Sequence, residues 1–139
     1  MDILLINPAP PREDRIAEHL GISSLKAFIN SHGMEADTLD LSIERLSIED
    51  TVGRIWSIQP RMVGISMLDD SKDNGIAIIK RLTEREYKGK IVIGGYFPTF
   101  ASKEILRDFP QVDYVVRGEG ELTLLQLMEV ELNKAKALT

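Results

Sequence analysis

The chain predicts an α/β fold in which five βα units form one open, doubly wound parallel sheet. Five short apolar runs recur along its 139 residues, and stretches with apolar residues at three-to-four spacing separate them. The runs are apolar at consecutive positions rather than alternate ones, as in strands buried on both faces of a parallel sheet. The length suits one ordinary domain, and 43% hydrophobic residues are enough for a globular core.

The first strand is Ile3-Leu4-Leu5-Ile6, ended by Asn7-Pro8. The first helix follows Ile16, Leu20, Ser24, Ala27 and Phe28 and stops near His32-Gly33, a favourable C-terminal signal. Ala36 to Leu41 reads as the second strand. Ser47 is the expected N-cap of the next helix, with Asp50 three residues on; Val52, Ile55, Trp56 and Gln59 continue it until Pro60 forbids more. Met62 to Met67 is the third strand, and Ile76, Ile79 and Leu82 mark the helix after it. Ile91-Val92-Ile93 is the fourth strand, stopped by Gly94-Gly95; Ile105, Leu106 and Phe109 mark a short helix closed by Pro110. Tyr114-Val115-Val116 is the fifth strand, and Leu122, Leu125, Leu127, Met128 and Leu132 mark the last helix. The polar tail Asn133–Thr139 reads as the start of a linker, so the domain is expected over 1–132. Short loops and right-handed crossovers favour the flavodoxin-like strand order 2-1-3-4-5, with ligands beyond the carboxyl ends of the strands.

Charge and composition narrow the partners. The 17 Lys+Arg against 22 Asp+Glu leave a net charge of −5, which disfavours nucleic acid or an anionic membrane as the main partner. No apolar run approaches the ~20 residues of a membrane span. The N-terminus lacks a basic segment and its apolar run ends at Ile6, so no signal peptide is expected and a cytoplasmic location is. The absence of cysteine excludes disulfides, cysteine-ligated zinc, iron–sulfur clusters and a cysteine nucleophile within these residues.

The strand ends are the places for function. After the first stands Asn7-Pro8-Ala9-Pro10-Pro11-Arg12, stiff and poor in backbone donors, hence not a phosphate cradle but a rigid connector or a wall for a large flat ligand. After the third comes Ser66-Met67-Leu68, followed by Asp69, Asp70 and Ser71, whose plain reading is helix capping. After the fourth comes Gly94-Gly95-Tyr96, either a tight turn or a close approach of backbone to a ligand. After the fifth comes Arg117-Gly118-Glu119-Gly120-Glu121; its glycine spacing is only half a dinucleotide motif, and Glu119 and Glu121 suit the positive end of a helix. A phosphorelay receiver is excluded because Asn7-Pro8 and Arg117-Gly118 stand where an acidic pair and a lysine are needed. The two histidines, His19 and His32, both fall on the first helical stretch and offer no metal-ligand spacing.

Asn-Pro-x-Pro after the first strand, Gly64-Ile65-Ser66-x-Leu68, Ile93-Gly94-Gly95 and Asp113-Tyr114-Val115-Val116-Arg117-Gly118-Glu119-Gly120-Glu121 occur in order. Together they resemble the cobalamin-binding N-terminal domain of cobalamin-dependent radical S-adenosylmethionine enzymes. That family includes methyltransferases and the anaerobic magnesium-protoporphyrin monomethyl ester cyclase. The resemblance spans Ile3 to Leu132, and it implies a Rossmann-like domain that binds cobalamin. Its cofactor contacts would come from Asn7, Pro8, Ala9, Pro10, Ser66, Met67, Leu68, Gly94, Gly95, Tyr96, Arg117, Gly118, Glu119 and Gly120. It also implies that Ser66 hydrogen-bonds the tail base, that Leu68 lines its slot, and that Gly94 and Gly95 clear room for it. The wider fold's D-x-H-x-x-G is absent: Asn7 to Arg12 holds no histidine. The radical branch commonly lacks it, which implies a displaced tail and no imidazole below cobalt. No catalytic residue and no metal ligand is expected in this chain. S-adenosylmethionine and an iron–sulfur cluster would belong to a radical domain of the same polypeptide, whose Cys-x-x-x-Cys-x-x-Cys motif is not found here. The alternative is an interaction or regulatory domain that kept the fold and lost the cofactor.

Overall fold

A computed structural model describes residues 1–10, 20–67, 71–95, 105–116 and 121–137. Five strands form one parallel sheet: β1 (Ile3–Asn7), β2 (Ala36–Asp40), β3 (Met62–Ser66), β4 (Lys90–Gly94) and β5 (Tyr114–Val115). Their order is β2-β1-β3-β4-β5, as expected. The helices are α1 (Leu20–Ser31), α2 (Leu41–Glu44), α3 (Ile48–Ile58), α4 (Lys72–Glu84), α5 (helical residues 105–108) and α6 (Glu121–Ala137).

The consecutive apolar runs feed two cores because successive side chains point to opposite faces of a strand. Leu4, Ile6, Leu39, Val63, Ile65, Ile91 and Ile93 pack with Val52, Ile55, Ile78, Ile79, Leu82 and Ile105 of α3, α4 and α5. Ile3, Leu5, Met62 and Val92 pack on the other face with Ile22 and Ile29 of α1 and Leu124 and Met128 of α6. The result is a helix–sheet–helix sandwich, with the interior strand β1 buried along its whole length.

Several helix ends follow the local chemistry read from the chain. Ser47 Oγ accepts the Asp50 N–H at 3.0 Å and starts α3. Gln59, at φ 49°, ends that helix by donating its N–H to Ile55 O, and Pro60 follows. Gly33, at φ 82°, lets the chain turn after α1, where the Met34 N–H reaches back to Ile29 O at 3.4 Å.

Other expectations need correction. Leu41 belongs to α2 rather than to the second strand, because the Asp40 carboxylate accepts the Ser42 N–H at 3.0 Å and turns the chain into a helix. The face α1 buries is Ile22, Leu25 and Ile29, not Ser24 and Ala27, which are exposed. Both sets have helical spacing, and the branched aliphatics take the core. Along α6 the buried residues are Leu124, Leu125 and Met128, whereas Leu122 is 62% exposed. Trp56 is 40% exposed and lies under the Arg85 guanidinium at 5.9 Å rather than in the core. The last helix continues through Ala137, beyond the apolar spacing that ends at Leu132.

Candidate functional site at the carboxyl edge of the sheet

The strand tips form a row. By the alternation of the strands, Asn7, Ser66 and Gly94 lie on the same face as Leu5, Gly64 and Val92, the face covered by α1 and α6. Asn7 stands opposite Asp40, and Ser66 opposite Gly94. One step toward the sheet's interior, Leu5, Gly64 and Val92 form the next row. That row is closed, since a methyl group on Gly64 would sit 3.0 Å from Leu5 Cδ2. The outer row opens: a methyl group on Gly94 would meet no described atom within 4 Å beyond its chain neighbours.

The two adjacent glycines therefore do different things. Gly95 has φ 108°, and a Cβ there would come within 2.3 Å of the Met67 carbonyl oxygen. Only glycine makes that turn at that distance. Gly94 has no such backbone requirement, and among the described residues its missing side chain leaves space on the α1/α6 face.

The first loop is held from both faces of the sheet. Asn7 is 2% exposed; its Nδ2 donates to Asp40 Oδ1 at 3.1 Å, and its Oδ1 accepts the Ala9 N–H at 3.2 Å. Asp40 also accepts from the Ser42 hydroxyl at 2.6 Å. From the α4 side, Asn74 Nδ2 donates to Pro8 O at 2.7 Å. Pro8 and Ala9 are buried and Pro10 is half-buried. The prolines have no N–H, so few backbone donors need partners here, and the side-chain amides fix the path.

The remaining expected contacts fall as follows. Ser66 is half-buried at its strand tip. Met67 continues the β3–β4 ladder by donating its N–H to Gly94 O at 2.8 Å, but its side chain enters the α3/α4 core. There it packs so closely on Gly75 of α4 that an added Cβ would lie 2.4 Å from Met67 Cε. Leu68, Tyr96, Arg117, Gly118, Glu119 and Gly120 lie outside the described residues, as do Asp69, Asp70 and His19. Ser71 holds the N-cap position of α4 without a side-chain cap bond to the helix. Asp113 acts locally. Its Oδ2 accepts the Ile91 N–H at 2.8 Å and ties the approach to β5 onto β4, with Lys90 Nζ 3.7 Å from Oδ1. His32 lies at the opposite, amino edge of the sheet, with Nδ1 2.8 Å from Phe28 O. Sequence reasoning missed Asp40 and Asn74, whose partners lie 33 and 66 residues away and leave no local signal.

A cavity of about 180 Å³ opens at the amino edge, lined by Asp2, Arg61, Lys88, Lys90 and Glu131 over Met62 and Met128. It carries charges of both signs. Beside it Tyr114 donates its hydroxyl to Glu131, and that bond, aided by burial, pushes the phenol up to about 12. Tyr87 donates to Pro60 O, and burial raises its phenol above the usual range. Ligands of parallel α/β sheets bind at the opposite, carboxyl edge. Among the described residues no group of three or more His, Cys, Asp or Glu is placed to hold a metal, and no helix is long and apolar enough to cross a membrane.

The chain is a flavodoxin-like α/β domain whose strand tips set Asn7, Ser66 and Gly94 in one row on the α1/α6 face. The B12 binding domain family matches residues 15–128, and the chain belongs to that family. It is 30% identical to the anaerobic magnesium-protoporphyrin IX monomethyl ester cyclase of Synechocystis, covering 99% of this chain and 30% of that protein. An uncharacterized methyltransferase of Pyrococcus horikoshii is 29% identical over 99% of this chain and 31% of its own length. Among solved structures, the radical S-adenosylmethionine methyltransferase TsrM of Kitasatospora setae, with cobalamin and a [4Fe-4S] cluster bound, shares the fold. Its TM-score is 0.80 at 21% identity, over 96% of this chain and 25% of that one. The chain thus spans about a third of the length of these curated relatives.

Proposed function

We propose that this domain holds cobalamin at the carboxyl edge of the sheet, with the nucleotide tail displaced from cobalt. The observation that carries this is the open space at Gly94 beside the Ser66 hydroxyl, bounded below by the closed Leu5–Gly64 row. A flat heterocycle buried against a sheet needs small residues along one side and a hydrogen-bonding group at its rim, and this row offers both. The locked Pro8–Ala9 segment is the adjoining wall. Leu68, Tyr96 and the Arg117–Gly120 run complete the proposed contacts, with Met67 contributing backbone rather than side chain.

Asn7 to Arg12 holds no histidine to place an imidazole below cobalt, and His19 lies outside the described residues. His32 sits at the far edge of the sheet. When bound, the corrinoid supplies a cobalt able to accept and pass on methyl groups. This chain's residues bind the tail, fix the corrin's orientation and shield it, while a radical S-adenosylmethionine domain of the same polypeptide, with its own iron–sulfur cluster, acts on the substrate. Methyl transfer is the proposed activity of the whole protein, and porphyrin ring closure is the second.

Electron paramagnetic resonance of the protein loaded with cob(II)alamin tests the tail placement. The expected spectrum lacks nitrogen superhyperfine splitting, because no nitrogen base sits below cobalt. A nitrogen triplet would overturn the reading that neither the tail base nor a histidine lies below cobalt.

A further inference from the structure

The geometry points to Asn74 as a positioning residue that fixes the Pro8–Ala9 wall beside the binding face by holding Pro8 O from the α4 side. This rests on the cobalamin reading and adds a residue that no motif in the chain signals. Pro8 and Ala9 follow the interior strand β1, between the tips of β2 and β3. Gly94 and Ser66 lie on the α1/α6 face. Asn74 lies on α4, which packs on the other face, and its amide donates to Pro8 O at 2.7 Å. The Asn7 side chain then closes the turn by accepting the Ala9 N–H at 3.2 Å while holding Asp40 at 3.1 Å. The two amides clamp a segment whose prolines cannot anchor it through their own N–H groups.

The choice of residue supports this. Asn74 is the third residue of α4, in the first turn, where an acidic side chain would suit the helix dipole. A carboxylate of the same shape would help the helix but could not donate to Pro8 O. The donor therefore serves the loop rather than the helix.

The test is Asn74→Asp, with Asn74→Gln as the amide-retaining variant, measured by hydroxocobalamin titration and by exchange of the Ala9 amide. Asn74→Asp is expected to melt within a few degrees of the parent. Its cobalamin Kd should rise about tenfold as the wall loses its preorganisation, and its Ala9 amide should exchange faster. Asn74→Gln should recover part of both losses. A parent that binds cobalamin while Asn74→Asp binds equally well, or exchanges Ala9 at the parent rate, overturns the inference and leaves the cobalamin reading standing. A parent that binds no cobalamin removes the reading itself, and the inference with it.

Discussion

Replacing Gly95 with alanine puts a methyl group 2.3 Å from the Met67 carbonyl oxygen and holds a side-chain-bearing residue at φ 108°. The strained backbone costs about 1–3 kcal/mol, and the overlap with a backbone atom that cannot rotate away costs about as much again. Together they make about 4 kcal/mol, a fall in melting midpoint of roughly 10–15 °C for a domain of this size. A Cβ at Gly94 meets no described neighbour within 4 Å and the position needs no unusual φ, so Gly94→Leu should keep its melting midpoint within about 4 °C of the parent. It does fill the proposed ligand space. Overpacking of about 1–3 kcal/mol raises the cobalamin Kd by roughly 5- to 150-fold. The assay pairs thermal melting, followed by circular dichroism, with cobalamin titration of each variant. A Gly94→Leu protein that melts as low as Gly95→Ala, or that keeps full cobalamin affinity, would show that the two glycines are not divided in this way.

Three further outcomes follow from local geometry. Ser47→Ala removes the cap bond to the Asp50 N–H and should cost about 1 kcal/mol in denaturant titration, with cobalamin binding unchanged. Asp113→Ala strips the acceptor from the Ile91 N–H and should cost about 1–2 kcal/mol; Asp113→Asn keeps an acceptor, loses only the exposed Lys90 contact, and should cost far less. Tyr114 holds its proton up to about pH 12 because of its bond to Glu131, so the native state binds a proton that the unfolded chain releases near pH 10. That contribution to stability is present below about pH 10 and is lost as pH rises through about 12. Phenolate absorbance should accordingly show a native transition near 12 that Glu131→Gln moves downward.

Much of this molecule is legible in the chain, because strand burial and helix capping are local. Ile3 to Ile6 and Met62 to Ile65 announce their strands by being apolar at every position, and Ser47 announces its helix. The losses occur where several local patterns compete or where a contact is distant. Ile22-Leu25-Ile29 and Leu20-Ser24-Ala27-Phe28 are both helical stripes, and only the sheet beneath decides between them. Asp40 ends a strand that the apolar Leu41 extends on paper, because its carboxylate caps the helix that begins there. At the site, the motif order is readable, but the division of labour within Gly94-Gly95 is not. It depends on Met67 of another strand end, which closes on Gly95 and leaves Gly94 open. The Asn74 contact joins residues 66 positions apart, so nothing local signals it.

Every functional statement above depends on a corrinoid held at the carboxyl edge of the sheet. The visible absorption spectrum of the purified chain, taken after incubation with hydroxocobalamin and desalting, reads this out directly. About one corrinoid per chain should stay with the protein, as for a single preformed site, and Gly94→Leu should shed it while remaining folded. A protein that melts cooperatively yet emerges colourless from desalting would show that the carboxyl edge is not a corrinoid site.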